Sequence, residues 1–168
     1  DLESAPAAAD INMDDLVDLV FGTSDGQLHA TSLSGTSLDG FPIQLNGTIN
    51  TSPVFADFNS DDTVEVVVST DAGYVYALNF EGNHYPNFPA LFGSNVDGSP
   101  AIADVDNDGD FEVVSGGDEG LLVLDVSGEK GGADLWQTYL ADNKRNGYYE
   151  YIPVQSALEN VTGLPARF

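Results

Sequence analysis

The sequence predicts an all-β fold built from three repeats of about 47 residues. The first observation is a fixed spacing, because Asp10, Asp57 and Asp104 lie 47 residues apart and each follows a proline-containing lead-in. The second is a set of short β-branched runs, such as 64–69 and 111–115, each followed by a turn that contains glycine. A constant interval shared by several landmarks indicates one supersecondary unit used three times.

Each element of the repeat recurs in order along the chain. The lead-ins begin at Ser4, Ser52 and Ser99, and the first carries one extra residue before its proline. The remaining landmarks at the same interval are Gly26, Gly73 and Gly120, together with the Phe-Pro pairs at 41–42 and 88–89. Three to four short antiparallel strands in about 47 residues match the size of a β-propeller blade.

We therefore predict β-propeller blades over residues 1–47, 48–94 and 95–150, followed by a C-terminal tail at 151–168. Known propellers have about four to eight blades, so three blades form part of a larger ring. We expect the remaining blades to come from the same precursor or from another chain. Self-association is the other way to close the ring. Since Asp1 falls just before a blade boundary, we also expect the chain to be a processed piece of a longer precursor.

The charge is strongly negative and unevenly placed. Asp and Glu number 28 against four Lys and Arg, a formal net charge of −24, and all four basic residues follow position 129. Such a surface repels nucleic acid and anionic lipid and attracts cations. The chain has no cysteine, which excludes disulfides and thiolate metal sites. No apolar run approaches the roughly 20 residues needed to cross a bilayer, so membrane insertion is not expected.

Each leading aspartate opens a nine-residue acidic loop: loop one is 10–18, loop two 57–65 and loop three 104–112. Oxygen-bearing side chains at positions 1, 3, 5 and 9, with a tight turn at position 6 and a backbone carbonyl at position 7, can surround a hard cation with six or seven oxygens. The acid at position 9 can bind bidentately. All-oxygen ligation favours Ca²⁺, so we predict up to three ions. The predicted ligands are Asp10, Asn12, Asp14, Leu16 (carbonyl) and Asp18; Asp57, Asn59, Asp61, Thr63 (carbonyl) and Glu65; and Asp104, Asp106, Asp108, Asp110 (carbonyl) and Glu112.

Two other kinds of loop share features with these three. A single Asp- and Asn-rich loop can be a solvated turn, although three copies in phase argue against that. An EF-hand loop begins in a similar way, but it runs into a helix and places its last acid at position 12. Here the loop ends at position 9 and a valine-rich strand follows at once.

The lead-in, the loops and the following strand resemble the FG-GAP/VCBS family of propeller repeats, related to the integrin α-subunit head, over about residues 4–127. The resemblance implies calcium loops of the form Asp-x-Asp-x-Asp-Gly-x-x-Asp. This chain departs from that form in having Asp15 and Asp62 at position 6, where a positive φ is expected. Loops one and two also have Asn at position 3. Loop three, with four carboxylates, is therefore predicted to bind most tightly.

The C-terminal segment carries two further resemblances. Residues 135–149 resemble the Trp-x-x-x-x-x-Asp-x-x-x-x-Gly-Tyr segment that ends bacterial secreted propellers, which would pack Trp136 on the last blade. Residues 163–168 resemble the lead-in to a sorting domain of the type IX secretion system. Both imply a bacterial protein that is secreted or displayed on the cell surface.

Catalysis is not expected from these residues. Only His29 and His84 could act as bases near neutral pH, and neither has a counterpart in another repeat. The leading hypothesis is a non-catalytic, calcium-binding propeller segment for adhesion or recognition, with a protein or glycan ligand. The alternative is an accessory domain of a secreted hydrolase or polysaccharide lyase that binds carbohydrate. A third hypothesis is that the acids only maintain solubility at high salt.

Overall fold

The computed structural model describes residues 1–61, 63–93, 95–126 and 134–136, and within these ranges it consists of short β-strands without a helix. The prediction of an all-β fold is confirmed. The strands are β1 (Ala7–Ala9), β2 (Asp18–Gly22), β3 (Gln27–Ser32), β4 (Ile43–Gln44), β5 (Val54–Ala56), β6 (Glu65–Ser69), β7 (Tyr74–Leu78), β8 (Ala90–Leu91), β9 (Ala101–Ala103), β10 (Glu112–Gly117), β11 (Gly120–Asp125) and β12 (Asp134–Trp136). None of the described segments is a helix long and apolar enough to span a membrane.

The strands form three antiparallel sheets. The first sheet has the order β1-β2-β3-β4, the second β12-β5-β6-β7-β8, and the third β9-β10-β11. Apart from β12, which pairs with β5, each sheet is a meander in which strands that follow one another in the chain are hydrogen-bonded neighbours. The short connections explain this order, because antiparallel strands can be joined by tight turns.

The strand pairing recurs at the interval seen in the sequence. Ala7 pairs with Val20, Val54 with Val67, and Ala101 with Val114; the members of this list are spaced 47 residues apart. The first two strands of every sheet are therefore in the same register.

The structure corrects the alignment of the first lead-in. The Ser4 hydroxyl accepts a hydrogen bond from the Gly22 N–H at 2.7 Å, and the Thr51 hydroxyl accepts one from the Ser69 N–H at 3.2 Å. Both pairs are separated by 18 residues. Ser4 is therefore equivalent to Thr51 and not to Ser52, and no extra residue precedes the first proline.

The second sheet lies between the other two. The Asn46 N–H donates to the Tyr76 hydroxyl at 3.1 Å, which joins the first and second sheets. The hydroxyls of Ser69 and Ser115 lie 3.0 Å apart and join the second sheet to the third. All five residues of β6 are buried, as expected of a strand covered on both faces. One continuous apolar core extends from Ala7 to Val126.

The third sheet differs from the others in its second hairpin. In the second sheet Ser69 pairs with Val75, whereas in the third Gly117 pairs with Gly120 across a two-residue turn. Gly120 keeps the 47-residue spacing, but the shorter turn shifts the register of β11 by one residue. A shift of one residue moves every side chain of a strand to the opposite face. Leu121 and Val123 consequently lie on an exposed face.

Strand β12 lies along the free edge of β5, where Asp134 pairs with Ala56 and Trp136 with Phe55. The main chain of Trp136 therefore pairs with the second sheet and not with the third, while the packing of its side chain on the last blade stays a prediction. The physical reason is that β5 is an edge strand without this partner, and its unpaired N–H and C=O groups accept a further strand. The rest of the predicted C-terminal segment and the tail at 151–168 lie outside the described residues.

Candidate metal centres

The three acidic loops occupy the same place in each sheet, between its first and second strands. They begin directly after β1, β5 and β9, which end at Ala9, Ala56 and Ala103. They end at the first residue of β2, β6 and β10, so the position-9 acid is always the first residue of a strand. Two rigid strands thus hold both ends of each loop.

In loop one, three oxygen-bearing side chains are turned toward the loop's own backbone. The Asp10 carboxylate accepts the N–H of Asp14 at 3.1 Å and that of Asp15 at 2.9 Å. The Asn12 carbonyl oxygen accepts the Asp14 N–H at 3.2 Å, and the Asp14 carboxylate accepts the Leu16 N–H at 2.9 Å. Positions 1, 3 and 5 are thereby brought around one short segment.

Loop two repeats this pattern. The Asp61 N–H donates to Asp57 at 3.3 Å and to the Asn59 carbonyl oxygen at 3.2 Å. The Thr63 N–H donates to the Asp61 carboxylate at 2.8 Å, and the Thr63 hydroxyl donates to the same oxygen. The bond from the hydroxyl is the main cause of the lowered pKa of Asp61. The hydrogen bond from Thr63 thus favours the ionised form of this carboxylate.

The asparagine at position 3 serves both loops in the same way. The Asn12 amide donates to Asp14 at 3.2 Å, and the Asn59 amide donates to Asp61 at 2.8 Å. The amide thus removes one negative charge from the loop, and its N–H donates a hydrogen bond to the neighbouring carboxylate at position 5. Loops one and two therefore hold their ligand carboxylates with less repulsion than a further carboxylate at position 3 would cause.

Loop three has a carboxylate, Asp106, at position 3 in place of the amide. Its acidic side chains at positions 1, 3 and 5 therefore lie next to one another without an amide among them. Ligand oxygens of Asp104, Asp106 and Asp108 all lie within 4.8 Å of one another, and so do those of Asp108, Asp110 and Glu112. Asp108 belongs to both groups. At this spacing like charges repel strongly, and a divalent cation relieves the repulsion.

The acids at position 9, which are predicted cation ligands, also accept hydrogen bonds from the backbone of their own loops, and this second role is not evident from the sequence. Asp18, Glu65 and Glu112 are only 1%, 2% and 5% exposed. Each accepts a hydrogen bond from the backbone N–H seven residues earlier, at the second position of its loop. The donors are Ile11, Phe58 and Val105. One carboxylate oxygen therefore holds the loop closed.

Burial perturbs the ionisation of two of these acids. It raises the pKa of Asp18 to about 6 and the pKa of Glu65 to about 7. Burial is the largest cause of both values; the neighbouring carboxylates at positions 1 and 5 of each loop contribute to the rise in pKa, and the bonds from Ile11 and Phe58 oppose it. A cation in the loop favours the ionised form and would reverse the shift.

The backbone of the loops is left-handed at two positions, the predicted position 6 of loop one and also position 4 of every loop. Asp15, at position 6 of loop one, has a φ of 65°, as predicted; Asp62 lies outside the described residues. Position 4 is also left-handed in all three loops, with φ values of 60° at Met13, 57° at Ser60 and 64° at Asn107. Asparagine adopts a positive φ more readily than most residues, so Asn107 is compatible with this conformation on its residue type. The residue type of Met13 does not predict a positive φ.

The structure thus brings together the predicted side chains at positions 1, 3 and 5 of each loop, with the position-9 acid directly behind them. The position-7 residues Leu16, Thr63 and Asp110 each donate their N–H to the position-5 carboxylate. The Leu16 side chain is 64% exposed, which is compatible with a ligand role for its backbone only. The metal-ligand assignments remain predictions.

A cavity of about 380 Å³ adjoins loop one. Its walls combine loop residues, hydroxyls from the β3–β4 connection and one aromatic ring from the second sheet: Asn12, Asp14, Asp18, Ser32, Thr36, Ser37, Leu38, Asp39 and Phe80. Sequence analysis missed it, because Phe80 belongs to another repeat. At the equivalent place beside loop two, Tyr85 packs edge-on against Phe58 with 5.3 Å between ring centroids.

The two histidines lie in aromatic contacts. The ring of His29 stacks on Phe21, with centroids 5.1 Å apart and planes 6° from parallel. The ring of His84 lies 5.8 Å from that of Tyr76. Neither histidine is a wall of the cavity or a member of the three loops.

No family model matches this chain, and no curated protein matches it.

Proposed function

We propose that this chain is a non-catalytic, calcium-binding segment of a β-propeller, from a bacterial protein that is secreted or displayed on the cell surface and acts in adhesion or as a recognition scaffold. One observation carries the calcium assignment. Three loops at the same place in three sheets orient oxygen-bearing side chains by recurring backbone hydrogen bonds, and each has a buried acid at position 9.

Calcium suits these loops better than other cations. The predicted ligand atoms are carboxylate, amide and backbone carbonyl oxygens, which are hard ligands. The loops are short and irregular, and Ca²⁺ tolerates irregular coordination by six to eight oxygens, whereas Mg²⁺ demands a near-ideal octahedron. Up to three ions would bind, each neutralising the three or four predicted ligand carboxylates of its loop.

The role of the ions in this proposal is mainly structural. A cation at about 100 times its dissociation constant adds roughly 2.7 kcal/mol to the stability of the folded state. Several sites together would amount to a large part of a typical domain's stability, which is about 5–15 kcal/mol. The ions also remove the repulsion among closely spaced acids, so we expect the calcium-free chain to be much less stable.

The packing of the sheets supports the propeller architecture. The Ser52 hydroxyl donates to the Ala5 carbonyl at 3.0 Å, and the Ser52 N–H donates to the Ser99 hydroxyl at 2.9 Å. Each bond spans 47 residues, so equivalent points at the start of the three sheets lie side by side. This arrangement fits first strands that surround a common axis, with further blades from the same precursor or from another chain completing the ring.

Thermal unfolding in EDTA, Ca²⁺ and Mg²⁺ at constant ionic strength tests the calcium assignment. We expect the melting temperature to rise strongly in Ca²⁺ and little in Mg²⁺. Asp108→Asn should reduce the rise, while Asp118→Asn, at an exposed acid outside the loops, serves as the matched control. Equal melting temperatures in Ca²⁺ and EDTA would contradict the proposal. A rise that follows salt concentration without selectivity for Ca²⁺ would favour the solubility hypothesis.

The cavity beside loop one supports a second candidate, an accessory domain that binds carbohydrate within a secreted hydrolase or lyase. Its wall combines the ring of Phe80 with the side chains of Ser37 and Asp39, a mixture of aromatic and polar groups suited to a small polar ligand. Polysaccharide pull-downs in Ca²⁺ and in EDTA test it. Binding that Phe80→Ala abolishes and that Leu91→Ala, at an exposed position, leaves unchanged would favour this candidate.

A further inference from the structure

The third sheet has an exposed apolar face, which we call the terminal face. Its apolar members are Ala101, Ala103, Val114, Leu121 and Val123, which cross-strand pairing places on one side of the sheet. The pair Glu112 and Asp125 lies at one end of the same side. Leu121 is 68% exposed and Val123 49% exposed. Adjacent apolar side chains of this kind on a sheet normally mark a surface that another element covers.

The second sheet shows what covers such a face in this molecule. Its corresponding side carries Val54, Val67, Val75 and Ala77, all of which are fully buried. The third sheet covers that side, as the contact between the Ser69 and Ser115 hydroxyls shows. In the second sheet, the side that corresponds to the terminal face is therefore covered by the next sheet. That next sheet contributes the side opposite to its own terminal face.

In the part of the chain that the structure describes, no other sheet covers the complementary face of the first sheet, which we call the entry face. Its members are Ala8, Leu19, Phe21, His29 and Thr31, all partly exposed. The Phe21–His29 pair is the counterpart, 47 residues earlier, of Val68 and Tyr76, and the latter pair is buried. Tyr76 is on the side of the second sheet that contacts the first, as its bond from Asn46 shows.

One chain cannot bring these two faces together, because the second sheet lies between the sheets that carry them. We propose that two copies of the chain associate head to tail, with the terminal face of each copy covered by the entry face of the other. The proposal rests on the propeller assignment above and names the partner that supplies the missing blades. Two such contacts related by a two-fold axis close an assembly of six sheets, within the range of about four to eight blades.

Charge regulates this association. Each copy has a formal net charge of −24, so the two copies repel each other until cations bind or salt screens the repulsion. We therefore expect the complex to be strongest in Ca²⁺ and to weaken in EDTA at low ionic strength.

Light scattering coupled to gel filtration, in Ca²⁺ and about 0.15 M salt, measures the mass of the assembly. The expected mass of the wild-type chain is twice the 17.7 kDa of one copy. Val123→Asp and Phe21→Lys should each reduce the mass to that of one copy, because each disrupts both contacts. Mixing the two variants in equal amounts should restore the double mass, since one contact then pairs Asp with Lys and the other is unaltered.

Three outcomes would overturn the proposal. A wild-type mass of one copy would exclude association, and polymers that grow with concentration would exclude a closed pair. If Phe21→Lys kept the double mass while Val123→Asp lost it, the terminal faces would be in contact with each other. Leu33→Asp, at a 70% exposed position outside both faces, is the matched control and should leave the mass unchanged.

The same samples separate this proposal from the calcium proposal. Each variant is melted in Ca²⁺ and in EDTA, and a retained calcium response shows that the chain is folded and its loops are loaded. Leu121→Asp, at the most exposed position of the terminal face, should have the same effect as Val123→Asp and provides a second variant if the first does not fold. A single-copy mass with a full calcium response would refute head-to-tail association alone.

Discussion

The carboxylate of Glu65 accepts the backbone N–H of Phe58 at 2.9 Å, and both residues are only 2% exposed. Their bond joins the two ends of loop two behind the predicted calcium ligands. Asp18 and Glu112 make the equivalent bond in loops one and three. Each loop therefore contains an acid that supports the backbone and that, when ionised, also increases the attraction for a cation.

Substitution at Glu65 should separate these two roles. Glu65→Gln retains an oxygen that accepts the Phe58 N–H, so we expect little loss of stability in EDTA but a smaller stabilisation by Ca²⁺. Glu65→Ala leaves a buried N–H without this acceptor and should lower the free energy of unfolding by about 1–3 kcal/mol in EDTA as well. Urea unfolding with and without Ca²⁺ measures both effects. Equal behaviour of the two variants would show that the bond to Phe58 contributes nothing.

Stability should depend on pH in opposite ways with and without calcium. The pKa of Glu65 is raised from 4.5 to about 7, so between these values the folded state binds more protons than the unfolded state. In EDTA, stability contributed by this group is present at low pH and is lost as the pH rises through about 7. Asp18, raised from 3.8 to about 6, acts in the same direction.

Calcium favours the ionised acids, so in saturating Ca²⁺ we expect stability to increase with pH over the same range. Melting temperatures from about pH 5 to about pH 8 check the sign. Glu65→Gln should flatten the EDTA profile. A wild-type profile in EDTA that rises with pH would contradict the assignment of these buried acids.

Loop three should respond to the removal of one charge in two opposite ways. Asp106→Asn introduces at position 3 the amide that loops one and two already have. Because this change relieves repulsion, we expect higher stability in EDTA, together with roughly tenfold weaker calcium binding at this loop. Calorimetric titration with Ca²⁺ measures the affinity, and Asp118→Asn is the control. Stronger binding by the variant would refute the predicted rank of loop three.

The contact between the first and second sheets offers a test that is independent of calcium. The Asp71 carboxylate accepts the Thr48 N–H at 2.6 Å, and the Asp71 N–H donates to the Thr48 carbonyl at 3.1 Å. Asp71→Ala removes the first bond and should cost about 1 kcal/mol, equally in Ca²⁺ and in EDTA. Glu119→Ala, at an exposed acid, should cost nothing measurable. A loss seen only in one condition would place Asp71 in the metal sites.

Two equivalent glycines should differ in their tolerance of a methyl group. A Cβ at Gly22 would lie 2.2 Å from the Ile49 side chain, whereas a Cβ at Gly116, the counterpart in the third sheet, meets nothing within 4 Å. Gly22→Ala should therefore lower stability by about 1–3 kcal/mol, and Gly116→Ala, compared in the single-copy background of Val123→Asp, should be neutral or slightly stabilising. Thermal melting of both variants tests this difference. Equal losses would mean that the two sheets are packed alike.

Local features of the molecule were readable from the residues alone. The strands β6 and β10 follow from β-branched runs, and the 47-residue interval predicts the shared register of Val54–Val67 and Ala101–Val114. The convergence of positions 1, 3 and 5 in each loop is also local, because the groups involved lie within five residues of each other. For such features, neighbouring side chains and turns contain the necessary information.

Other features were decided only by tertiary structure. The register of β11 depends on a two-residue turn, although Gly120 keeps its spacing, and the position of β12 depends on a free edge of β5. The raised pKa of Glu65 follows from burial between packed sheets, which no local pattern reveals. The strands, the repeat and the candidate ligands thus follow from local patterns of residues. Packing decided which faces are covered and which acids are buried, because burial depends on residues far apart in the chain.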